Sequence, residues 1–519
     1  MCRLCDAGSP QDHSDSRRKF LKATAATGFA AGTLNLLTPR PASAYDERED
    51  EPEDTGRRGR RYVIRGGAVM SMDPKVGDFA QADVLVEGKK IVAVGPNLHA
   101  GGAREIDARG RIVMPGFIDT HHHLFETAMR STLPDALLFD GLDAGTTNNY
   151  FQKMLLGFAP VYRPEDVYIS TLFGSLSALD AGVTTVFDIS QIHHSQEHSD
   201  ATIQALRDSE RRAVFGYFES AGGVAGNQYP NDARRIKSRY FSSSDQLITM
   251  FMGGEIYLPG YEAAWRLGRE LGIPVAAHIV GTFGMRPTFD ALARGQGGDS
   301  GTLGIGADNL FVHMTGMSDA AWEKVRNVGA AVSLAVPIEM NMRHGTPPIL
   351  KAMKLGIEFS LSTDVECTLT ADFFTQMRTA MALQRMFVNG RALGETDLPD
   401  TTGVPLAKTR DALRWATVNG ARDLKLGQKV GTLTPGKEAD IIILDAEAIN
   451  VAPLNHVPGA VVTLMERNNV ETVIVAGKVR KWKGRLVDVN LRRLRRQIED
   501  SRDFIFGASG FPKNLFRAP

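Results

Sequence analysis

Val113-Met-Pro-Gly-Phe-Ile-Asp-Thr-His-His-His-Leu124 starts as the apolar run of a buried strand and ends abruptly in an Asp and three imidazoles. In an extended strand successive side chains alternate faces, so His121 and His123 share one side and His122 takes the other. Two neutral imidazoles on one rigid strand make half of a coordination shell for a catalytic divalent metal. Three adjacent histidines alone fit a solvated loop equally well. The rest of the chain tips the balance, because Ile273-Pro-Val-Ala-Ala-His278, Asn309-Leu-Phe-Val-His313 and Ile357-Glu-Phe-Ser-Leu-Ser-Thr-Asp364 are also short apolar runs closed by a polar residue. Polar groups at the carboxyl ends of successive strands are what an active site on a (β/α)8 barrel requires. The expected fold class is α/β, with a TIM barrel over residues 113–426.

The flanking segments follow a different rhythm. Tyr62-Val-Ile-Arg65, Ala68-Val-Met-Ser71, Asp83-Val-Leu-Val-Glu87 and Lys90-Ile-Val-Ala-Val94 alternate in period two with Gly at the turns, which predicts short strands over 62–112. Further strands are predicted near 441–444, 473–475 and 478–481 within 427–487. Together the two ends make a small β-sandwich into which the barrel is inserted. Leu491, Leu494 and Ile498 recur at helical spacing beside four arginines, predicting a helix within 488–519 that packs on the domain or on a partner subunit.

From about Tyr62 to Val487 the chain resembles the amidohydrolase superfamily, specifically its one-metal branch of deaminases and s-triazine hydrolases. The resemblance is carried by Pro115-Gly-Phe-Ile-Asp-Thr-His-His-His123, Ala416-Thr-Val-Asn-Gly-Ala421 and Gly431-Thr-Leu-Thr-Pro-Gly-Lys-Glu-Ala-Asp-Ile-Ile-Ile-Leu-Asp445. It implies that His121, His123, His278 and Asp364 hold one divalent metal, zinc or alternatively iron. It also implies that His313 contacts the nucleophile or the substrate. Zinc in such a site lowers the pKa of its water from about 15.7 toward 7, and Asp364 would take and return the proton while His313 steadies the oxyanion. Taken singly, Asp364 reads as a helix cap before Cys367, while His278 and His313 read as buried strand residues. The resemblance reverses those three readings and leaves His122 structural.

One departure bears on mechanism. Deaminases of this branch carry a Glu three residues after the fifth-strand His, and here that position is Gly281. Glu255, at the end of Leu247-Ile-Thr-Met-Phe-Met-Gly-Gly-Glu255, is the candidate substitute, with an exposed loop Glu as the alternative. That strand has no Lys to bridge two metals. The loop Ile189-Ser-Gln-Ile-His-His-Ser-Gln-Glu-His198 offers His193, His194 and Glu197 as substrate-side groups, unless Ser195 caps a helix over 197–207 with Glu197 solvated in its first turn. Glu219 either faces the pocket or pairs with an Arg. Residues 125–163, rich in Leu, Phe and Tyr, have the content of a lid over a ring-sized organic substrate.

Equal counts of 60 basic and 60 acidic residues give no nucleic-acid or membrane footprint. Ser16-Arg-Arg-Lys-Phe-Leu-Lys22, a weakly apolar run over 23–37 and Ala42-Ser-Ala44 read as a twin-arginine signal peptide over 1–44. The expected location is periplasmic or secreted, with the twin-arginine export machinery as a partner and no stable membrane span after cleavage. Residues 45–61, acidic and then Arg-rich, read as a disordered linker. Cys2 and Cys5 leave with the leader, and Cys367 is a lone thiol that reads as packed and inert. Relatives form dimers or tetramers, so a homo-oligomer stays open. Three functions remain: hydrolysis of a non-peptide carbon–nitrogen bond in a small cyclic or aromatic compound, dechlorination or aryl hydrolysis at the same site, or a catalytically silent binding or assembly barrel. The complete ligand set argues against the last.

Overall fold

The computed structural model describes residues 52–140, 149–223, 228–395 and 406–519. The segment 1–44, read as an export signal, lies outside them. Eight parallel strands form a barrel in simple chain order: β6 (Phe117–His122), β7 (Val183–Ser190), β8 (Arg212–Tyr217), β9 (Ile248–Met252), β10 (Val275–Ile279), β11 (Asn309–His313), β12 (Ala331–Leu334) and β13 (Ser360–Leu361). All except β9 and β10 are buried at every position, as expected of parallel strands covered on both faces. Alternation sorts their side chains. Ile118, Phe187, Val214, Phe251, Ala276, Leu310, Val312 and Ala331, drawn from seven strands in turn, pack together as the barrel interior, while Phe215, Val275, Ala277 and Phe311 pack outward under the helices.

The seam between β6 and β13 closes just beyond β13. The Asp364 amide donates to the His121 carbonyl (2.9 Å), and the His123 amide donates to the Asp364 carbonyl (3.0 Å). Thr120 reinforces the seam, its hydroxyl lying 2.7 Å from that of Ser333 and 3.0 Å from that of Ser360.

The second body is one nine-stranded mixed sheet built from both flanks of the barrel. Its first segment supplies β1 (Arg61–Met70), β2 (Asp78–Glu87), β3 (Lys90–Gly95), β4 (Arg104–Asp107) and β5 (Arg111–Pro115). Its second supplies β14 (Ile441–Asp445), β15 (Val470–Val475), β16 (Lys478–Trp482) and β17 (Arg485–Leu486). The order is β17-β16-β15-β14-β5-β1-β2-β3, with β4 also on β1. The runs at 62–65 and 68–71 are one strand bent at Gly66, whose φ of 76° only glycine adopts freely. Before the bend β1 pairs with β4, and after it with β5, so the sheet folds around a core that mixes Ile64, Val84 and Val113 with Ile441, Ile443 and Ile474.

The opening stretch 113–124 is likewise two strands. β5 belongs to the small sheet and β6 to the barrel, with the break at Gly116, where a Cβ would lie 2.2 Å from Thr184 Cγ2. Of the segment 45–61 read as a linker, residues 52–60 form turns docked on the sheet, the Thr55 hydroxyl accepting from the Val479 amide at 3.0 Å. The carboxyl-terminal helix, Leu491–Ser509, buries Ile498, Ile505 and Phe506 and leaves Leu491 half-exposed. Among the described residues no helix is long and apolar enough to cross a membrane.

Arg212, at the start of β8, pins barrel to sheet. Its buried guanidinium reaches Asp440 through Nε at 2.8 Å and Glu438 through Nη2 at 2.6 Å. Replacing Arg212 with Met strands two carboxylates away from water, a change of the kind that costs about 3–5 kcal/mol. The expected outcome is a clearly lower urea midpoint for Arg212→Met, measured by tryptophan fluorescence.

Candidate metal centre

The ends of four barrel strands bring together side chains from distant parts of the sequence. His123 Nε2 and His278 Nε2 each lie 3.0 Å from His121 Nε2. Asp364 completes the group, its Oδ1 lying 3.4 Å from His121 Nε2 and 3.7 Å from His123 Nε2. Across from them, His313 Nε2 is 3.6 Å from Asp364 Oδ2. Asp364 and His313 both sit at positive φ, 65° and 71°. For non-glycine residues such a conformation costs energy that the surrounding structure must outweigh, and it concentrates at functional sites.

Proton placement shows what the cluster fits. The His123 Nδ1 lies 3.0 Å from the Ile189 carbonyl, which can only accept, so the proton is on Nδ1 and Nε2 carries a lone pair. His278 Nδ1 is held by the Glu255 carboxylate at 2.5 Å, which raises the pKa of this ring against the effect of its burial, and its Nε2 is turned to His121. A proton on His121 Nε2 could serve one of these neighbours and never both. Burial and mutual repulsion hold His121 and His123 well below the ordinary imidazole pKa, so both stay neutral. Burial raises Asp364 to about 7. Converging imidazole nitrogens and a desolvated carboxylate together suit a divalent cation.

Behind the ligands stands a layer of carboxylates. Glu255 grips both the backbone amide and the ring of His278, and its own amide donates to Glu219 Oε1 at 2.8 Å. Glu339 accepts from His313 Nδ1 at 3.1 Å and from the Ala335 amide at 2.9 Å. His122 turns away from the cluster. Burial alone would lower its pKa, yet Asp119 and Glu366 raise it to about 9, making it a buried cation.

The cavity over the cluster is lined by His123, His278, His313 and Asp364, together with Leu138, Tyr150, Leu155, Gln191, Tyr257, Val280, Phe283, Met342, His344 and Val365. Leu138, Tyr150 and Leu155 come from the stretch expected to form a lid. The polar loop after β7 contributes Gln191 rather than its histidines. His193 is spent on Ser199 and the Ser190 carbonyl, and His194 on Ser220 and the Ala159 carbonyl. Glu197 is exposed and accepts from Ser195, which occupies the cap position of helix Gln196–Asp208 without capping it by its side chain. Glu219 and Glu255 lie behind His278 rather than in the cavity, so Glu255 does not occupy the place of a carboxylate at Gly281. His344 went unanticipated because it ends no strand. Its signal in sequence is only a His-Gly pair after a short helix.

The sequence matches the amidohydrolase family over residues 112–480. The chain belongs to the amidohydrolase family. A 5'-deoxyadenosine deaminase of Methanosarcina mazei is 28% identical over 428 residues, covering 80% of this chain and 92% of that one. A 5-methylthioadenosine/S-adenosylhomocysteine deaminase of Symbiobacterium thermophilum is 26% identical, covering 81% of this chain and 93% of the relative. Among solved structures, a zinc-bound adenosine deaminase from Xanthomonas campestris superposes with a TM-score of 0.70 at 22% identity, over 86% of this chain and 98% of that one. An atrazine chlorohydrolase of Arthrobacter aurescens, complexed with zinc and atraton, gives a TM-score of 0.68 at 20% identity over 86% of this amidohydrolase and 100% of the other chain.

Loss of an outer carboxylate that orients a metal-bound imidazole costs about 10–100-fold in affinity. Glu255→Gln is therefore expected to weaken zinc binding by that factor in chelator competition while the far-ultraviolet circular dichroism stays unchanged. An unchanged affinity would mean that Glu255 has no hold on the centre.

Proposed function

We propose that this amidohydrolase uses one divalent ion, zinc, to hydrolyse a non-peptide carbon–nitrogen bond of a small cyclic or aromatic compound and release an amine or ammonia. The observation that carries the reading is the convergence of three imidazole Nε2 atoms and one carboxylate at the floor of an apolar cavity. His121, His123, His278 and Asp364 would hold the ion. When bound, the ion supplies a nucleophile from water at neutral pH.

The remaining steps belong to the chain. Asp364 Oδ2 has no hydrogen-bond partner in the protein, which leaves it free to take the nucleophile's proton and pass it to the departing nitrogen. His313, its ring fixed by Glu339 through Nδ1, presents the Nε2 lone pair beside that oxygen, where it can accept from the attacking water and orient it. The apolar wall excludes water and strengthens each of these interactions. A second reading is favoured by one position: Gly281 supplies no carboxylate, which suits a leaving group such as chloride that needs no proton.

Purified zinc-loaded protein should release ammonia from a member of a panel of aminopurines, aminopyrimidines, aminotriazines and cyclic amidines, and His123→Ala should fall to the blank rate. Chloride without ammonia from chlorinated analogues would select the second reading. Undiminished activity in His123→Ala would mean the centre lies elsewhere. Chelation should also destabilise the fold, since an ion at 100 times its Kd contributes about 2.7 kcal/mol. Differential scanning fluorimetry should show a lower Tm that zinc restores.

The Arg17-Arg18 pair and Ala42-Ser-Ala44 support export through the twin-arginine route to the periplasm or beyond. In cell fractionation, replacing both arginines with Lys should keep the protein in the cytoplasm. Amino-terminal sequencing of the exported form should begin at Tyr45.

A further inference from the structure

We propose that His344 is the residue that grips the substrate, and that what it grips is a ring nitrogen of an uncharged planar heterocycle. The inference rests on the hydrolase reading and narrows it.

His344 is 3% exposed and lines the cavity, yet neither of its ring nitrogens has a hydrogen-bond partner. The neighbouring imidazoles differ: His123, His278 and His313 each spend Nδ1 on a carbonyl or a carboxylate. A buried polar atom left without a partner costs about 1–3 kcal/mol, and native structures rarely carry one without a use for it. Here the missing partner is a ligand.

The loop that presents the ring is fixed through its backbone. The Thr315 hydroxyl donates to the His344 carbonyl at 2.5 Å and accepts from the Gly281 amide at 3.1 Å, while the Thr282 hydroxyl donates to the Arg343 carbonyl. The ring itself lies against His313, centroids 4.6 Å apart. Anchoring of this kind leaves both nitrogens for a bound molecule.

A buried imidazole with both nitrogens unpartnered offers a ligand one donor and one acceptor. Among the described residues no Lys, Arg or Glu lines the cavity, and a charged substrate would be stripped of water with only the centre to meet it. Tyr257 and Phe283, stacked 5.1 Å apart, add flat apolar faces. An uncharged heteroaromatic ring satisfies all of these at once.

The test compares 2-aminopyrimidine with aniline, which matches it in size and lacks the ring nitrogens, by calorimetry on the zinc-loaded full-length protein. Wild type should prefer 2-aminopyrimidine by about fivefold or more, the value of one hydrogen bond. His344→Phe should erase the preference and His344→Gln should recover part of it. Zinc content and Tm check that each variant is folded, and His344→Leu replaces the Phe variant should that one not fold. No preference in wild type, or a preference that survives in a folded His344→Phe or His344→Leu, overturns the proposal. So do two zinc ions per chain falling to one in those variants, because His344 would then be a ligand. If wild type discriminates between the pair through His344 but releases ammonia or chloride from nothing, the hydrolase reading fails and the role of His344 stands. Full ammonia release by His344→Phe would do the reverse.

Discussion

Two backbone hydrogen bonds join the first and last strands of the barrel, and they belong to the residues that carry the chemistry. Asp364 donates to the carbonyl of His121 and accepts from the amide of His123, so the strand ends are held at the spacing their side chains need. β13 has only two residues in ladder conformation, which makes this contact a large part of the closure. The positive φ of Asp364 is understandable on the same ground. Its backbone serves the seam while its carboxylate is turned to the cluster, and an extended conformation would not provide both.

A graded electrostatic arrangement surrounds that seam. The neutral rings of His121 and His123 and a carboxylate of raised pKa form the inner surface, and Glu255 and Glu339 fix the orientation of His278 and His313 from behind. Further out, His122 carries positive charge between Asp119 and Glu366. Adjacent histidines thus end in opposite protonation states because the strand's alternation sends them to different surroundings.

Much of this was legible from residue order. His278, His313 and Asp364 each terminate an apolar, β-branched run, and that pattern located three strand ends correctly. β12 escaped because Leu334 runs on into Ala-Val-Pro and offers no polar terminus. The loop histidines at 193 and 194 misled for a related reason: composition reveals a polar loop and not which way its side chains turn, and here carbonyls of Ser190 and Ala159 claim them. Glu219 and Glu255 follow strands as the pattern requires, but they face the back of His278. His344 is the converse case, a group placed by the docking of one loop on another through Thr315, which no periodicity records.

The small sheet joins segments at opposite flanks of the barrel, with Ile112 opposite Leu444 in the register. A growing polypeptide therefore emerges with β5 long before the strand that covers its edge has been translated. Until the ribosome delivers β14, that edge offers unpaired amides and carbonyls to any neighbouring chain. The late segment is thus a closing clasp for biogenesis, and nascent chains stalled within the barrel are the species most exposed to edge-to-edge association.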